Sequence, residues 1–380
     1  MKALFVHDHI FPKNNTDYYE SYGFEKEFFD RYLNIFGELS IIGREKDHIF
    51  VNKNRFNKVD SNIDFLTFKN LKELKNKENR KKIDDQIHRS DYVIIRLPSI
   101  LGTYAVQSAK RQKKPYIIEV VGCPWDAIVN KGLKYVLPAL AITLLTKRAV
   151  SGSMHTIYVT EEFLERRYPT SGKYIACSNV TLNSVNEQDI RNRLEKIDMM
   201  SRDKKVIFGT CATIDVIYKG QQDVIAALAK LVKEGHDIEY QLVGGGDSSY
   251  LKLIAEKYGV LDRVKFIGTL KHEDVFKWLD NVDVYIHPSK QEGLSRAIIE
   301  AMSKGCPIIG ADAGGIHEQI DAKYIFKKGN VSQICEKYKE MTREVMKEQA
   351  IKNHNESKKY LKSILYKRRE NFFKEFINAN

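Results

Sequence analysis

The chain has 380 residues, 62 Lys and Arg against 50 Asp and Glu, a net charge of +12 and 43% hydrophobic residues. That length suits two domains with ordinary cores, and the composition is that of a globular protein. The five cysteines are scattered without any Cys-x-x-Cys, which excludes a zinc ribbon or a disulfide framework. The dispersed positive charge and the lack of a recognition motif argue against a nucleic-acid binder.

The opening segment, Met1-Lys-Ala-Leu-Phe-Val6, reads directly into a strand and lacks the layout of a signal peptide. Short β-branched runs then alternate with helical segments. Strands are expected at 3–6, 39–42, 92–95, 116–121 and 156–159 in the first half. In the second half they are expected at 205–209, 240–243, 264–267, 284–287, 307–310 and 324–326. This alternation predicts an α/β protein with two doubly wound, Rossmann-like sheets facing across a cleft. The expected division is an N-terminal domain at 1–182, a polar hinge at 183–204, a C-terminal domain at 205–355 and a terminal helix at 356–380. Tyr366, Phe372, Phe373 and Phe376 in that last helix need a surface to bury them, so it is expected to pack back on the N-terminal domain. Residues 131–148 are cationic at both ends and apolar between, which suits either an anionic membrane face or a buried helix. The longest apolar run, 135–145, is too short to span a bilayer, and a cytoplasmic protein is expected, either free or peripheral on the inner membrane face.

Four loops at predicted strand ends carry the chemistry. The first, Tyr218-Lys219-Gly220-Gln221, puts a lysine just before a helix, where it can pair with a diphosphate. The second, Gly244-Gly245-Gly246-Asp247, permits close backbone approach. The third is His287-Pro-Ser-Lys-Gln-Glu292-Gly-Leu-Ser-Arg-Ala-Ile-Ile-Glu300. Its first carboxylate lies in the loop and its second inside the following apolar helix, with the amides of Gly293, Leu294 and Ser295 between them, free to face an anion. Glu300 is an acid among Ala297, Ile298, Ile299 and Met302, costly unless partnered, and a ribose diol is a fitting partner. The fourth, Asp312-Ala-Gly314-Gly315, reads as another anion-facing turn.

Taken in order, Pro288-Ser289, Glu292-Gly293, Glu300-Ala301-Met302, Gly305-x-Pro307, Gly314-Gly315 and Glu318 resemble the signature of the retaining family 4 glycosyltransferases with the GT-B fold. The resemblance is close over residues 200–330. It implies that Glu292 contacts the donor sugar and that Lys219 neutralises the leaving phosphate. It also implies that Gly293, Leu294, Ser295, Gly244 and Gly245 line the diphosphate and that Glu300 holds the ribose. The family usually carries an Arg at the place of Gly209-Thr210-Cys211-Ala212, and this chain has none. On the acceptor side the ends of two predicted strands place Arg96, Trp125 and Asp126 toward the cleft, and Asp126 is the candidate base, since Gly122 stands where many family members carry a His. The resemblance also points to the loop Tyr18-Tyr19 with Tyr22-Gly23-Phe24 as a ligand contact.

The implied activity is transfer of a sugar from a UDP- or GDP-linked donor to a glycan or polyprenyl-diphosphate-linked acceptor in surface polysaccharide biosynthesis. A sugar-nucleotide epimerase or hydrolase on the same architecture, or a non-catalytic nucleotide-sugar-binding protein, are the alternatives. No Asp-x-Asp occurs, and His and Cys lack ligand spacing, so neither a metal nor another cofactor is expected to be required.

Overall fold

The computed structural model describes residues 1–21, 23–47, 57–129, 132–201 and 205–380. Tyr22, Lys131 and residues 202–204 of the expected hinge lie outside them. The chain divides into two compact units, one of Met1–Cys177 with Tyr366–Asn380, the other of Ser178–Leu365.

The first unit is built on β1 (Lys2–Asn14), β2 (Asp17–Tyr18), β3 (Glu38–Asp47), β4 (Asp64–Phe68), β5 (Tyr92–Leu97), β6 (Tyr116–Val120), β7 (His155–Tyr158) and β8 (Lys173–Ala176). Their order is β4-β3-β1-β5-β6-β7-β8, with β2 attached to β1. Every pairing is parallel except that of β2. β4 and β8 escaped the sequence reading because they are edge strands, half-exposed and therefore poor in continuous apolar runs. Arg96, expected on the ligand side, is instead interior. Its guanidinium donates to Glu119 Oε2 from Nε at 3.0 Å and from Nη2 at 2.8 Å, inside a cage of Phe5, Phe24 and Phe28. Tyr32 donates its hydroxyl to Glu119 Oε1 at 2.8 Å. Burial pushes the Glu119 carboxyl up, but Arg96 and the Arg369 and Arg31 charges outweigh it and hold the group at about 2. The aromatic residues of the last helix close this core. Phe373 packs edge-on against Tyr32 and Phe36, and Phe376 against Tyr92 and His155.

The second unit holds β9 (Val206–Cys211), β10 (Ile238–Val243), β11 (Val264–Gly268), β12 (Val284–His287), β13 (Ile308–Ala311) and β14 (Ile325–Phe326). They pair in parallel in the order β11-β10-β9-β12-β13-β14. The order reverses between β9 and β12, so their carboxyl-terminal loops diverge there and leave a crevice of the kind where open α/β sheets bind ligands.

Part of the expected hinge is helical. Glu187–Asp198 is a helix belonging to the second unit. Its polar composition hides a narrow inward stripe of Ile190, Arg193 and Ile197, all buried. Arg193 donates to the carbonyls of Val282 at 2.5 Å, Leu279 at 2.7 Å and Lys304 at 3.1 Å, which ties the helix to the ends of its neighbours. The boundary likewise falls at Cys177 rather than 182, and the chain re-enters the first unit at Tyr366, inside its last helix Lys362–Asn378. Among the described residues no helix is long and apolar enough to cross a membrane.

Replacing Arg193 with Met removes the donor to the Lys304 carbonyl and one donor each from the Val282 and Leu279 carbonyls, which keep Lys196 Nζ and the Val282 amide. The variant is expected to lose about 3 kcal/mol of stability, seen as a lowered midpoint in urea unfolding with an unchanged slope.

Candidate active site

The crevice at β9 and β12 is bounded by two loops whose shape is set by glycine. β9 ends at Cys211, and a short 3₁₀ turn, Ile217–Lys219, leads through Gly220 into the helix Gln221–Lys233. Gly220 has φ of +78°, and a Cβ there would lie 2.2 Å from the carbonyl oxygen of Pro288. No other residue permits that approach. The Lys290 amide donates to the carbonyl of Tyr218 at 2.8 Å, so the turn carrying Lys219 is fixed to the loop that follows β12.

The result is an ion pair across the switch point. Lys219 Nζ donates to Glu292 Oε1 at 2.7 Å, and His287 Nε2 lies 3.2 Å from the same oxygen. Burial alone would raise the Glu292 carboxyl, but the hydrogen bond and charge of His287, with the Lys219 charge, hold it at about 2. Glu292 is thus an ionised acceptor on one oxygen of which Lys219 and His287 converge. His287 was missed by the sequence reading, although it is the polar last residue of an otherwise apolar strand. That position was the available signal.

The Glu292 loop is braced from the other side as well. Gly314 has φ of +53°, and a Cβ there would fall 1.7 Å from the Glu292 carbonyl oxygen. The Gly315 amide donates to the Gly293 carbonyl at 2.9 Å. The Gly314-Gly315 turn is therefore a support for the loop, and the Gly315 amide does not face an anion as expected. Ser295 is corrected in the same way. Its amide donates to Gln319 Oε1 at 3.0 Å, and Gln319 Nε2 returns a bond to the Ser295 carbonyl at 2.9 Å. Its hydroxyl caps the helix Arg296–Ser303. Among the described residues, the Gly293 and Leu294 amides are the two of the expected three that keep no partner. No sequence signal pointed to Gln319, which meets Ser295 only through folding.

Glu300 is buried inside the same helix, and its partner is a side chain of this chain. His272, first residue of the helix His272–Asn281, places Nε2 2.8 Å from Glu300 Oε1. That hydrogen bond raises the His272 pKa against the opposing effect of burial. Gly244 and Gly245 are also occupied in part. Gly244, with φ of +151°, presses on the Ala212 carbonyl and donates its amide to Gly268, while the Gly245 carbonyl accepts from Ile214 at 3.1 Å. The place that lacks the expected Arg is closed: Thr210 is buried and donates to the Ile286 carbonyl, and the Cys211 amide donates to Tyr285 Oη.

In the first unit, the Asp126 carboxylate accepts from Arg167 Nη1 at 3.0 Å. Among the described residues no group of three or more His, Cys, Asp or Glu is arranged to hold a metal ion.

Residues 201–360 match the family model for glycosyl transferases group 1. Protein CapJ of Staphylococcus aureus is 35% identical over 340 residues, spanning 87% of this chain and 84% of that protein. The chain belongs to the glycosyl transferases group 1. It is a retaining glycosyltransferase with the GT-B fold. The amylovoran biosynthesis glycosyltransferase AmsK of Erwinia amylovora is 32% identical over 110 residues, 27% of each chain. The crystal structure of Anabaena HepE in complex with UDP-glucose superposes with a TM-score of 0.66 at 16% identity, covering 100% of both chains, and shares the fold.

The depressed Glu292 pKa has a signed consequence for the transferase's stability. A carboxyl held at about 2 in the folded chain against an ordinary 4.5 stabilises the fold above pH 4.5. That contribution fades as pH falls toward 2. Glu292→Gln is expected to remove it, so the difference in unfolding free energy between the wild type and this variant should shrink steadily from pH 5 to pH 3, measured by denaturant titration.

Proposed function

We propose that the enzyme transfers a sugar from a nucleoside diphosphate donor, UDP- or GDP-linked, to a glycan or polyprenyl-diphosphate-linked acceptor during surface polysaccharide synthesis. The observation that carries this reading is the Lys219–Glu292 pair beside the unpartnered Gly293 and Leu294 amides. A cation and two aligned amides at the start of a helix suit a diphosphate. The adjacent carboxylate suits the hydroxyls of the sugar joined to it. The neighbours AmsK and HepE support the reading by what their names and bound ligand state.

In this scheme the anomeric carbon–oxygen bond breaks toward the diphosphate, the acceptor hydroxyl oxygen bonds to that carbon from the same face and its proton passes to the departing phosphate oxygen, with charge growing on that oxygen as the sugar becomes oxocarbenium-like. Lys219 moves from Glu292 to that oxygen, aided by the Gly293 and Leu294 amides, and so stabilises the departing dianion. Glu292, freed of one donor but still held by His287, accepts from the sugar hydroxyls. Glu300 accepts from the ribose, with His272 holding its carboxylate in place. Gly244 and Gly245 keep the β10 loop low enough for the phosphates to approach. Asp126, bound to Arg167, has no role in this scheme. Lys219 supplies the positive charge that a divalent ion would otherwise bring, so transfer proceeds without added metal.

Four measurements test this. Lys219→Ala should lower kcat by roughly 100-fold with a smaller change in donor affinity, since the charge matters most as the leaving group forms. Glu292→Ala should depress transfer far more than nucleotide binding, whereas Glu300→Ala should weaken nucleotide binding by roughly tenfold. A chelator should leave the rate unchanged. Product analysis with a donor panel decides the reaction class: free sugar or an epimer, formed at the rate of donor consumption in the presence of acceptor, contradicts transfer.

A further inference from the structure

A small cavity in the first unit is lined by two buried arginines that the transfer scheme does not use. Arg31, on the helix Lys26–Phe36, is 9% exposed, and Arg369, on the terminal helix, is 1% exposed. The Arg31 guanidinium lies over the Tyr366 ring, 5.7 Å from its centroid. Arg369 donates Nη2 to the Cys177 carbonyl at 3.3 Å. The Tyr366 hydroxyl donates to the Glu27 carbonyl at 3.5 Å, so the wall of the cavity joins the two helices.

The buried charge around this cavity favours an anion. Arg31, Arg96 and Arg369 all act on the Glu119 carboxyl, which Arg96 already holds by two hydrogen bonds. Three guanidiniums thus bear on one carboxylate. Burial lowers the Arg369 pKa, and the neighbouring Arg31 charge lowers it further. Burial pushes the Tyr32 hydroxyl up to about 12 and the Cys177 thiol up as well, so both stay neutral and bring no negative charge. The cavity has a volume of about 140 Å³, and its remaining lining is Asn34, Ile35, Tyr366 and Glu370. That is far below the several hundred Å³ of a nucleotide or cofactor pocket, and it suits one tetrahedral oxyanion. Asn34 and Glu370 are exposed at its mouth. The Glu370 carboxylate accepts from Lys374 Nζ at 2.6 Å, so that lysine meets its charge.

We propose that this cavity binds a phosphate-sized oxyanion, either orthophosphate or the phosphoryl group of a small phosphomonoester. The Arg31 and Arg369 guanidiniums and the Asn34 amide donate to its oxygens. Arginine suits this task because its planar fork meets two phosphate oxygens at once and stays charged when buried. The anion supplies negative charge that Glu119 alone does not. Held between Arg31 and Arg369, it clips the helix Lys26–Phe36 to the terminal helix, whose Phe373 packs on Tyr32 in the same core. The inference does not rest on the transfer reading, because the site contains no residue of the donor crevice and oxyanion binding needs neither donor nor acceptor.

The test is the thermal midpoint of the full chain carrying Lys219→Ala, so that phosphate cannot act through that lysine. Sodium phosphate is titrated against sodium chloride at equal ionic strength. Phosphate is expected to raise the midpoint by about 4 °C at saturation, and chloride to leave it in place. Methyl phosphate, titrated in parallel, separates the two sources. A response at a lower concentration than phosphate assigns the site to a phosphomonoester, and a weaker response or none assigns it to the free ion. Glu370→Gln removes the carboxylate at the mouth and should tighten phosphate binding about threefold, whereas Asn34→Asp adds one and should weaken it about tenfold. Both positions are exposed, so both variants fold. Phosphate also stabilises proteins by exclusion from their surface, an effect that neither change would alter. No shift beyond that of chloride overturns the inference, as does a phosphate response that both variants leave unchanged.

Discussion

A half-buried carboxylate kept ionised governs the second unit. Glu292 is ionised although burial opposes it, because Lys219 and His287 converge on one oxygen from two directions. Those donors come from the ends of two strands adjacent in space and far apart in sequence. The pair holds only if both loops are fixed to within a few tenths of an ångström. The tight glycine turns supply that fixity: Gly220 beneath Pro288, Gly314 beneath Glu292 and Gly244 beneath Ala212 remove side chains where backbone must touch backbone. The loop chemistry therefore depends on residues that contribute no chemical group.

This arrangement also separates support from reactivity. Of the polar groups that the motifs bring to the crevice, the Ser295 and Gly315 amides are already spent on Gln319 and on the Gly293 carbonyl. They stiffen the loop. Lys219, Glu292 and the Gly293 and Leu294 amides are those that a ligand can recruit. Lys219 and Glu292 neutralise each other, so neither is left as an isolated, half-buried charge. A diphosphate sugar offers both partners at once.

The first unit places its buried charge differently. Arg96 and Glu119 lie within an aromatic cage, with Tyr32 completing the network and the terminal helix sealing it through Phe373. That charge is structural, and the strand end where it lies is not an open cationic edge.

Much of this was legible in the residues themselves. The β-branched runs marked all six strands of the second unit, and the order of Lys219, the glycine turns, Glu292 and Glu300 marked the segments that follow the carboxyl ends of its strands, because strand periodicity and loop chemistry are local. Edge strands β4 and β8 and the helix Glu187–Asp198 were not legible, since half-exposed or mostly polar segments carry only a weak apolar pattern. The sequence by itself determined the two-sheet architecture and which loops carry charge. Only the tertiary structure decided that Glu300 pairs with His272, that Gln319 occupies the Ser295 amide, that Arg96 is interior and that the leucines near residue 140 face outward. Each of those outcomes is a contact or an orientation set by elements distant along the chain, and no local pattern encodes which partner reaches a given hydrogen-bonding group first.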